Sequence, residues 1–243
     1  MSYKDIKIQG VVLSRKNIGE ADRLLTVFSD QLGKIKIIAK AARKIKSKMA
    51  PHIELFTIGD FYLVEGKTFY ILTGAESKHI PTAAASDIDI YGTLSYLCEL
   101  VDLTYQERES NIGLFGLLSD SIGVINDIPR KKYPALICFF EAKLLVSLGY
   151  KPNFNLCNKC QSVLPEVDNY TGSFEGVSCE LCGRAGGDIS KNALKILRII
   201  DGVSINDFLN INITPNVLNE LKETIHPYLL SILPREPKSL DVL

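Results

Sequence analysis

The stretch Leu24-Leu25-Thr26-Val27-Phe28-Ser29-Asp30-Gln31-Leu32-Gly33-Lys34-Ile35-Lys36-Ile37-Ile38 decides how the first third of this chain is read. Leu24 to Phe28 is a β-rich run. Lys34 to Ile38 alternates basic and apolar residues, the period of a strand with one buried face. Asp30-Gln31-Leu32-Gly33 between them is a turn signal. Moving outward, Ile6 and Ile8 alternate with charged neighbours, residues 52–64 hold a long apolar–polar alternation, and Thr68-Phe69-Tyr70-Ile71-Leu72 is a further strand. Asn17-Ile18-Gly19, Ile58-Gly59-Asp60 and Glu65-Gly66-Lys67 supply the remaining turns. Five strands within residues 1–75 suit a small closed barrel. The OB-fold is the commonest five-stranded form, and an SH3-like barrel is the alternative.

The period changes after Pro81. Ile88, Tyr91, Leu94, Leu97, Leu100, Val101 and Leu103 recur at helical spacing. A second helix is expected over about 112–125. A third follows Pro134, with Ile137, Phe140, Leu144, Leu145 and Leu148 on one face, and stops at Gly149. Ser190 caps another helix, and Thr214-Pro215 opens the last, with Thr as cap and Pro at the first helical position. Residues 234–243 read as a frayed tail. The expected architecture is α+β: an N-terminal five-stranded OB-fold β-barrel over 1–80, then an all-α domain over 81–243 with a four-cysteine zinc finger inserted at about 153–187.

Cys157-Asn158-Lys159-Cys160 and Cys179-Glu180-Leu181-Cys182 form two C-x2-C pairs separated by 18 residues. Two such pairs suit one tetrahedral four-thiolate Zn2+ site. Four thiolates leave no open position for substrate or activated water, so the site reads as structural, and a catalytic metalloprotein is disfavoured. A pair of disulfides is the competing reading. The first residues, Met1 to Lys7, are too polar for a signal peptide, which points to a reducing, cytoplasmic setting. No apolar run approaches the roughly 18 residues of a membrane span.

The 243 residues carry no net charge, but the charge is unevenly spread. Residues 1–81 hold 14 Lys and Arg against 8 Asp and Glu, while 82–150 hold 5 against 9 and 151–243 hold 9 against 11. Only the N-terminal third is built to meet a polyanion. Its densest cluster is Lys40, Arg43, Lys44, Lys46 and Lys48, expected as a mobile loop at the barrel mouth. Lys34, Lys36 and Lys40 share a strand face, and Arg15, Lys16 and Arg23 flank the first strand connection. Together these residues suit a phosphate backbone bound by counterion release. Phe28, Tyr62, Phe69 or Tyr70 could stack on bases, although each is also a natural core residue. No helix-turn-helix stands out, so binding should be indifferent to sequence.

Arg130, Lys131 and Lys132 precede Tyr133-Pro134 and an apolar helix. Cations at the lip of an apolar groove could clasp an acidic, hydrophobic peptide tail; a solvated helix start is the plainer reading. Cys98 and Cys138 lie on apolar helix faces and read as buried hydrophobes. His52, His79 and His226 are not at ligand spacing with one another. Asp87 and Asp89 suit a helix start. Nothing here argues for an enzyme.

Three segments resemble the RecO family of bacterial recombination mediators. Asn17-Ile18-Gly19-Glu20-Ala21-Asp22-Arg23 looks like its "yGE.D" turn. Ala39-Lys40-Ala41-Ala42-Arg43-Lys44-Ile45-Lys46-Ser47 is similar to its "akGark.kS" stretch. Phe140-Glu141-Ala142-Lys143-Leu144-Leu145, Leu148-Gly149-Tyr150-Lys151-Pro152 and Cys157-Asn158-Lys159-Cys160 match "FE..LL..lGy.P…C..C". Ala41 stands where the family usually has Gly, and Gln161 where Gly often follows the second cysteine. The resemblance implies DNA repair and recombination in the RecF pathway. It implies binding of single- and double-stranded DNA, annealing of complementary strands, and action with RecR to load RecA on DNA coated by single-stranded-DNA-binding protein, whose C-terminal tail is a partner. It implies a cytoplasmic, nucleoid-associated location. From the residues alone, an RNA-binding OB protein such as a ribosome-associated factor stays open.

Overall fold

The computed structural model describes residues 5–183 and 189–243. Residues 184–187 of the expected zinc loop therefore lie outside the described residues. The chain divides into two compact units, Met1–Ile128 with Pro237–Leu243, and Pro129–Glu236.

The first unit is built on a closed barrel of β1 (Asp5–Ile18), β2 (Asp22–Ser29), β3 (Gly33–Ala39), β4 (Ile58–Glu65) and β5 (Tyr70–His79), in the order β1-β2-β3-β5-β4. β1 is long enough to pair with both β2 and β4, and Gly10 faces Ser29 on one side and Gly59 on the other. A bulge between Val12 and Ser14 bends it. Closure is made by a short parallel contact, Ile37 with Tyr70 and Ile38 with Ile71. This order and parallel closure are those of the OB-fold rather than the SH3-like alternative.

The alternation seen in the sequence sets the faces. In β3, Ile35, Ile37 and Ala39 are buried while Lys34 and Lys36 point outward. The barrel core is made by Ile8, Val12, Leu25, Val27, Ile35, Ile37, Phe61, Leu63 and Leu72, each worth roughly 1.5–3 kcal/mol when fully buried. The Ile58-Gly59-Asp60 turn is corrected: all three residues lie within β4. A Cβ on Gly59 would stand 2.5 Å from the Glu76 carbonyl oxygen. The glycine marks a bulge and close backbone approach, not a turn.

On the same unit lie α1 (Ile88–Thr104) and α2 (Ile112–Val124). Asp87 caps α1, its carboxylate accepting from the amides of Asp89 and Ile90, which is the helix-start role expected for the Asp pair. The expected frayed tail is also corrected. Residues 238–242 form a 3-10 turn in which the Ser239 amide and hydroxyl both donate to the Glu99 carboxylate, at 2.8 and 2.7 Å. Gly92 of α1 is required there, since a Cβ would meet the Val242 carbonyl oxygen at 2.5 Å.

The second unit contains α3 (Tyr133–Ser147), a small sheet of β6 (Asn169–Ser173), β7 (Gly176–Ser178) and β8 (Ile189–Ser190), then α4 (Lys191–Ile199), α5 (Ile205–Asn210) and α6 (Pro215–Ile232). Ser190 caps α4 and Thr214 caps α6, with Pro215 opening the latter. α3 carries Leu136, Phe139, Phe140, Leu144 and Leu145 into the core, where Phe208, Leu221, Ile225 and Leu229 meet them.

Candidate nucleic-acid interface and metal centre

After β3 the chain turns through residues 40–49 before a single 3-10 turn, Ala50–Ile53. Three hydrogen bonds tie this loop to the turn between β1 and β2. The Ala41 amide donates to the Asp22 carboxylate at 2.7 Å, the Arg43 amide to the Ala21 carbonyl at 2.9 Å, and the Arg43 guanidinium to the Glu20 carbonyl at 3.3 Å. Ala42 is buried in the barrel core. Ala41 has φ +53°, so its Ala keeps a left-handed backbone that glycine adopts more readily. Two of the segments singled out in the sequence, around Asp22 and around Ala41, are thus one structural feature.

Lys40, Arg43, Lys44, Lys46 and Lys48 all project from this loop into solvent. None has an ion-pair partner among the described residues. Lys16, near the end of β1, is likewise exposed and without one.

The strand cations are placed differently. Arg15 and Arg23 both pair with Glu54, Arg23 at 3.0 Å. Lys34 pairs with Asp102 at 3.1 Å and also donates to the Asp102 carbonyl at 2.5 Å; its side chain is only 12% exposed. Lys36 pairs with Glu107, and its hydrogen bond and charge hold that carboxyl below the usual range. The segment following α1 crosses the edge of β3, where the Arg108 amide donates to the Lys34 carbonyl at 2.9 Å. Gly33, at φ +63°, is needed for this approach, because a Cβ would meet the Glu109 carbonyl oxygen at 2.0 Å. Of the aromatics, Phe28 is buried against Tyr105 and Tyr70 is buried with the Arg108 guanidinium over its ring. Tyr62 and Phe69 remain partly exposed, with Lys7 over the Tyr62 ring.

The four cysteines are brought together. The sulfurs of Cys157, Cys160, Cys179 and Cys182 all lie within 4.8 Å of one another. Cys160 and Cys179 are 3.7 Å apart, close to the edge of a tetrahedron with bonds of about 2.3 Å to zinc. Each pair sits on a tight turn. The Gln161 amide donates to the Cys157 carbonyl at 2.9 Å, and the amides of Cys182 and Gly183 donate to the Cys179 carbonyl at 3.0 and 2.8 Å. Gln161 adopts φ +61°, so it too keeps the conformation glycine would supply. Backbone hydrogen bonds from Cys160 and Cys179 bring the Cys157 thiol down to about 6, whereas hydrogen bonding to Cys160 and Cys179 pushes Cys182 up to about 12. Four thiolates this close repel one another unless a cation sits among them. The donor set, spacing and turns therefore fit a metal ion held by thiolates. Cys98 and Cys138 are buried apart from this cluster, and burial raises both thiols well above the ordinary value.

Arg130, Lys131 and Lys132 form a 3-10 turn leading into α3. Lys131 and Lys132 border a groove of about 450 Å³, with Pro134, Phe208, Ile213, Leu218 and Lys222 among its lining. Lys132 also donates to the Leu209 carbonyl at 2.6 Å. Arg130 is exposed and outside the lining. Lys222 escaped the sequence reading, because it joins the other two lysines only through the packing of α6 beside α3.

Family and relative comparisons agree over nearly the whole chain. A family described as Recombination protein O N terminal matches residues 1–81, and one described as Recombination protein O C terminal matches residues 85–241. A DNA repair protein RecO of Clostridium acetobutylicum is 31% identical over 245 residues, covering 98% of this chain and 96% of that protein. One from Dehalococcoides mccartyi is 31% identical, covering 97% and 94%. One from Clostridium perfringens is 32% identical, covering 98% and 97%.

Proposed function

This chain belongs to the RecO family of DNA repair proteins, and from that premise we propose that it is a non-enzymatic recombination mediator. It binds single- and double-stranded DNA, anneals complementary strands, and with RecR helps load RecA on DNA coated by single-stranded-DNA-binding protein. The observation that carries this reading is the loop of Lys40, Arg43, Lys44, Lys46 and Lys48, five exposed cations without an acidic partner among the described residues. Such a surface releases counterions when phosphates arrive and requires no internal ion pair to break. Residues 1–80 act as the nucleic-acid-binding domain and 81–243 as the helical, zinc-bearing domain. Arg15, Lys16, Arg23, Lys34 and Lys36 extend the track, four of them only after releasing Glu54, Asp102 or Glu107. The work is charge screening and strand positioning; no bond is made or broken. The setting is the cytoplasm, at the nucleoid.

The metal is one structural Zn2+ held by Cys157, Cys160, Cys179 and Cys182. Its binding energy contributes directly to folding of the loop. Removing it should make residues 153–183 sensitive to protease; an apo protein as resistant as the metal-loaded one would refute the assignment. The groove beside Lys131, Lys132 and Lys222 suits the acidic, hydrophobic C-terminal tail of single-stranded-DNA-binding protein, its apolar residues in the cleft and its carboxylates on the lysines.

The deciding experiment is fluorescence annealing of two complementary oligonucleotides, bare or coated with single-stranded-DNA-binding protein. Rapid pairing of coated strands supports the mediator reading. Binding without annealing, with RNA competing as well as DNA, supports an RNA-directed barrel instead.

A further inference from the structure

We propose that Ile45 is a base-contacting wedge, an aliphatic tip that enters the stack of a single-stranded nucleic acid while the lysines beside it hold the phosphates. The proposal rests on the reading that loop 40–48 is the nucleic-acid surface. Ile45 is the most exposed large hydrophobic among the described residues, at 105% of its reference area. Its sequence neighbours are Arg43, Lys44, Lys46 and Lys48, all exposed. Successive residues span at most about 3.6 Å. Phosphates drawn to Lys44 and Lys46 therefore bring their bases within reach of the side chain between them.

The exposure is built into the loop. Ala42 is anchored in the barrel core, and the Arg43 amide is spent on Ala21. The Lys44 amide donates to the Ala41 carbonyl at 3.1 Å and the Ser47 amide to the Lys44 carbonyl at 2.9 Å. These successive turns present residue 45 away from the barrel, with its side chain uncovered. A β-branched side chain is stiff at χ1, so little freedom is lost when it inserts. Aliphatic residues placed between base steps unstack them. A strand whose stack is opened at one step presents base edges for pairing, which links the wedge to annealing. Leu181, also strongly exposed, follows Glu180 at the metal turn and has no comparable set of cations beside it.

The test uses the full chain and a single-stranded oligonucleotide carrying one 2-aminopurine, whose fluorescence rises on unstacking. Ile45→Ala is expected to bind roughly tenfold more weakly, with an unchanged salt slope and most of the fluorescence rise lost; Ile45→Leu should restore both. Lys44→Gln with Lys46→Gln should lower the slope by about 1.4 yet keep the rise at saturation. Unaltered affinity and fluorescence in Ile45→Ala, beside a lowered slope in the double lysine variant, would overturn the wedge and leave the DNA-binding reading standing. If neither variant changes slope, affinity or signal, the loop is not the nucleic-acid surface and both ideas fall.

Discussion

Arg15, Arg23, Lys34 and Lys36 stand on barrel strands and each faces a carboxylate of this chain, while Lys40, Arg43, Lys44, Lys46 and Lys48 stand on the loop after β3 and face solvent. Both sets count equally in a net charge. They differ in what must happen before a phosphate can be met. Each strand cation is met by a carboxylate from another part of the chain: Glu54 after the Ala50–Ile53 turn, Asp102 of α1, or Glu107 just beyond it. The loop side chains are exposed and meet no carboxylate among the described residues, Arg43 reaching only the Glu20 carbonyl. The lesson is that positive charge becomes a binding surface only where the fold leaves it unspent.

The largest effect expected from this difference is in salt dependence. Neutralising all five loop cations to Gln should reduce the log–log slope of single-strand affinity by roughly 3.5, at about 0.7 per phosphate contact. Neutralising Lys34 and Lys36 together should change it by less than about 0.5. Equal loss per residue from both sets would break the comparison and make the ion pairs irrelevant to binding.

A gain is expected where a carboxylate is removed. Glu54 holds two arginines at once. Glu54→Gln should free Arg15 and Arg23 and raise the slope by up to about 1.4. Chemical denaturation should show a loss of no more than about 1 kcal/mol, because the Glu54 side chain is 40% exposed and such pairs are screened. A lowered slope would mean that Glu54 positions the arginines for phosphate rather than sequestering them.

How far the sequence could carry this is clear from individual residues. Ile35 and Ile37 alternating with Lys34 and Lys36 defined β3 and its buried face. Thr214-Pro215 marked the start of α6, and the two C-x2-C pairs marked the cluster, because caps, periods and ligand turns are local. Glu54, 31 and 39 residues from the arginines it holds, is not local. Nor is Asp102, 68 residues from Lys34. These pairings exist only once the barrel has closed and α1 has packed on it. Gly59 misled for a related reason: glycine signals both turns and close backbone approach, and only the neighbouring strand decides which. Ser239 and its contact with Glu99 were invisible in the same way, since a polar tail without periodicity gives no sign of a receptor 140 residues earlier. Ala41 and Gln161 teach the converse. Both hold a positive φ without being glycine, so a left-handed backbone position need not announce itself by residue type.

The smallest effect expected concerns acid. Glu107 has its carboxyl held below the usual 4.5 by the hydrogen bond and charge of Lys36. A depressed carboxyl contributes stability that is fully present above its unfolded value and is lost as the pH falls through its folded value. The difference in unfolding free energy between the natural protein and Glu107→Gln should therefore be constant from pH 6 to 8, begin to shrink near the unfolded value of about 4.5, and lose its pH-dependent part only below the lower folded value. With the Glu107 side chain 54% exposed, solvent screening keeps that difference well under about 1 kcal/mol. Binding sharpens the same point with opposite sign. At neutral pH the variant should show a salt slope higher by up to about 0.7, since Lys36 is free in it and paired in the natural protein. As Glu107 titrates, the natural protein should gain the missing increment and the two slopes should converge. Slopes that already coincide at neutral pH would show that Lys36 is kept from phosphate by the packing of residues 107–109 across β3 and not by the charge of Glu107.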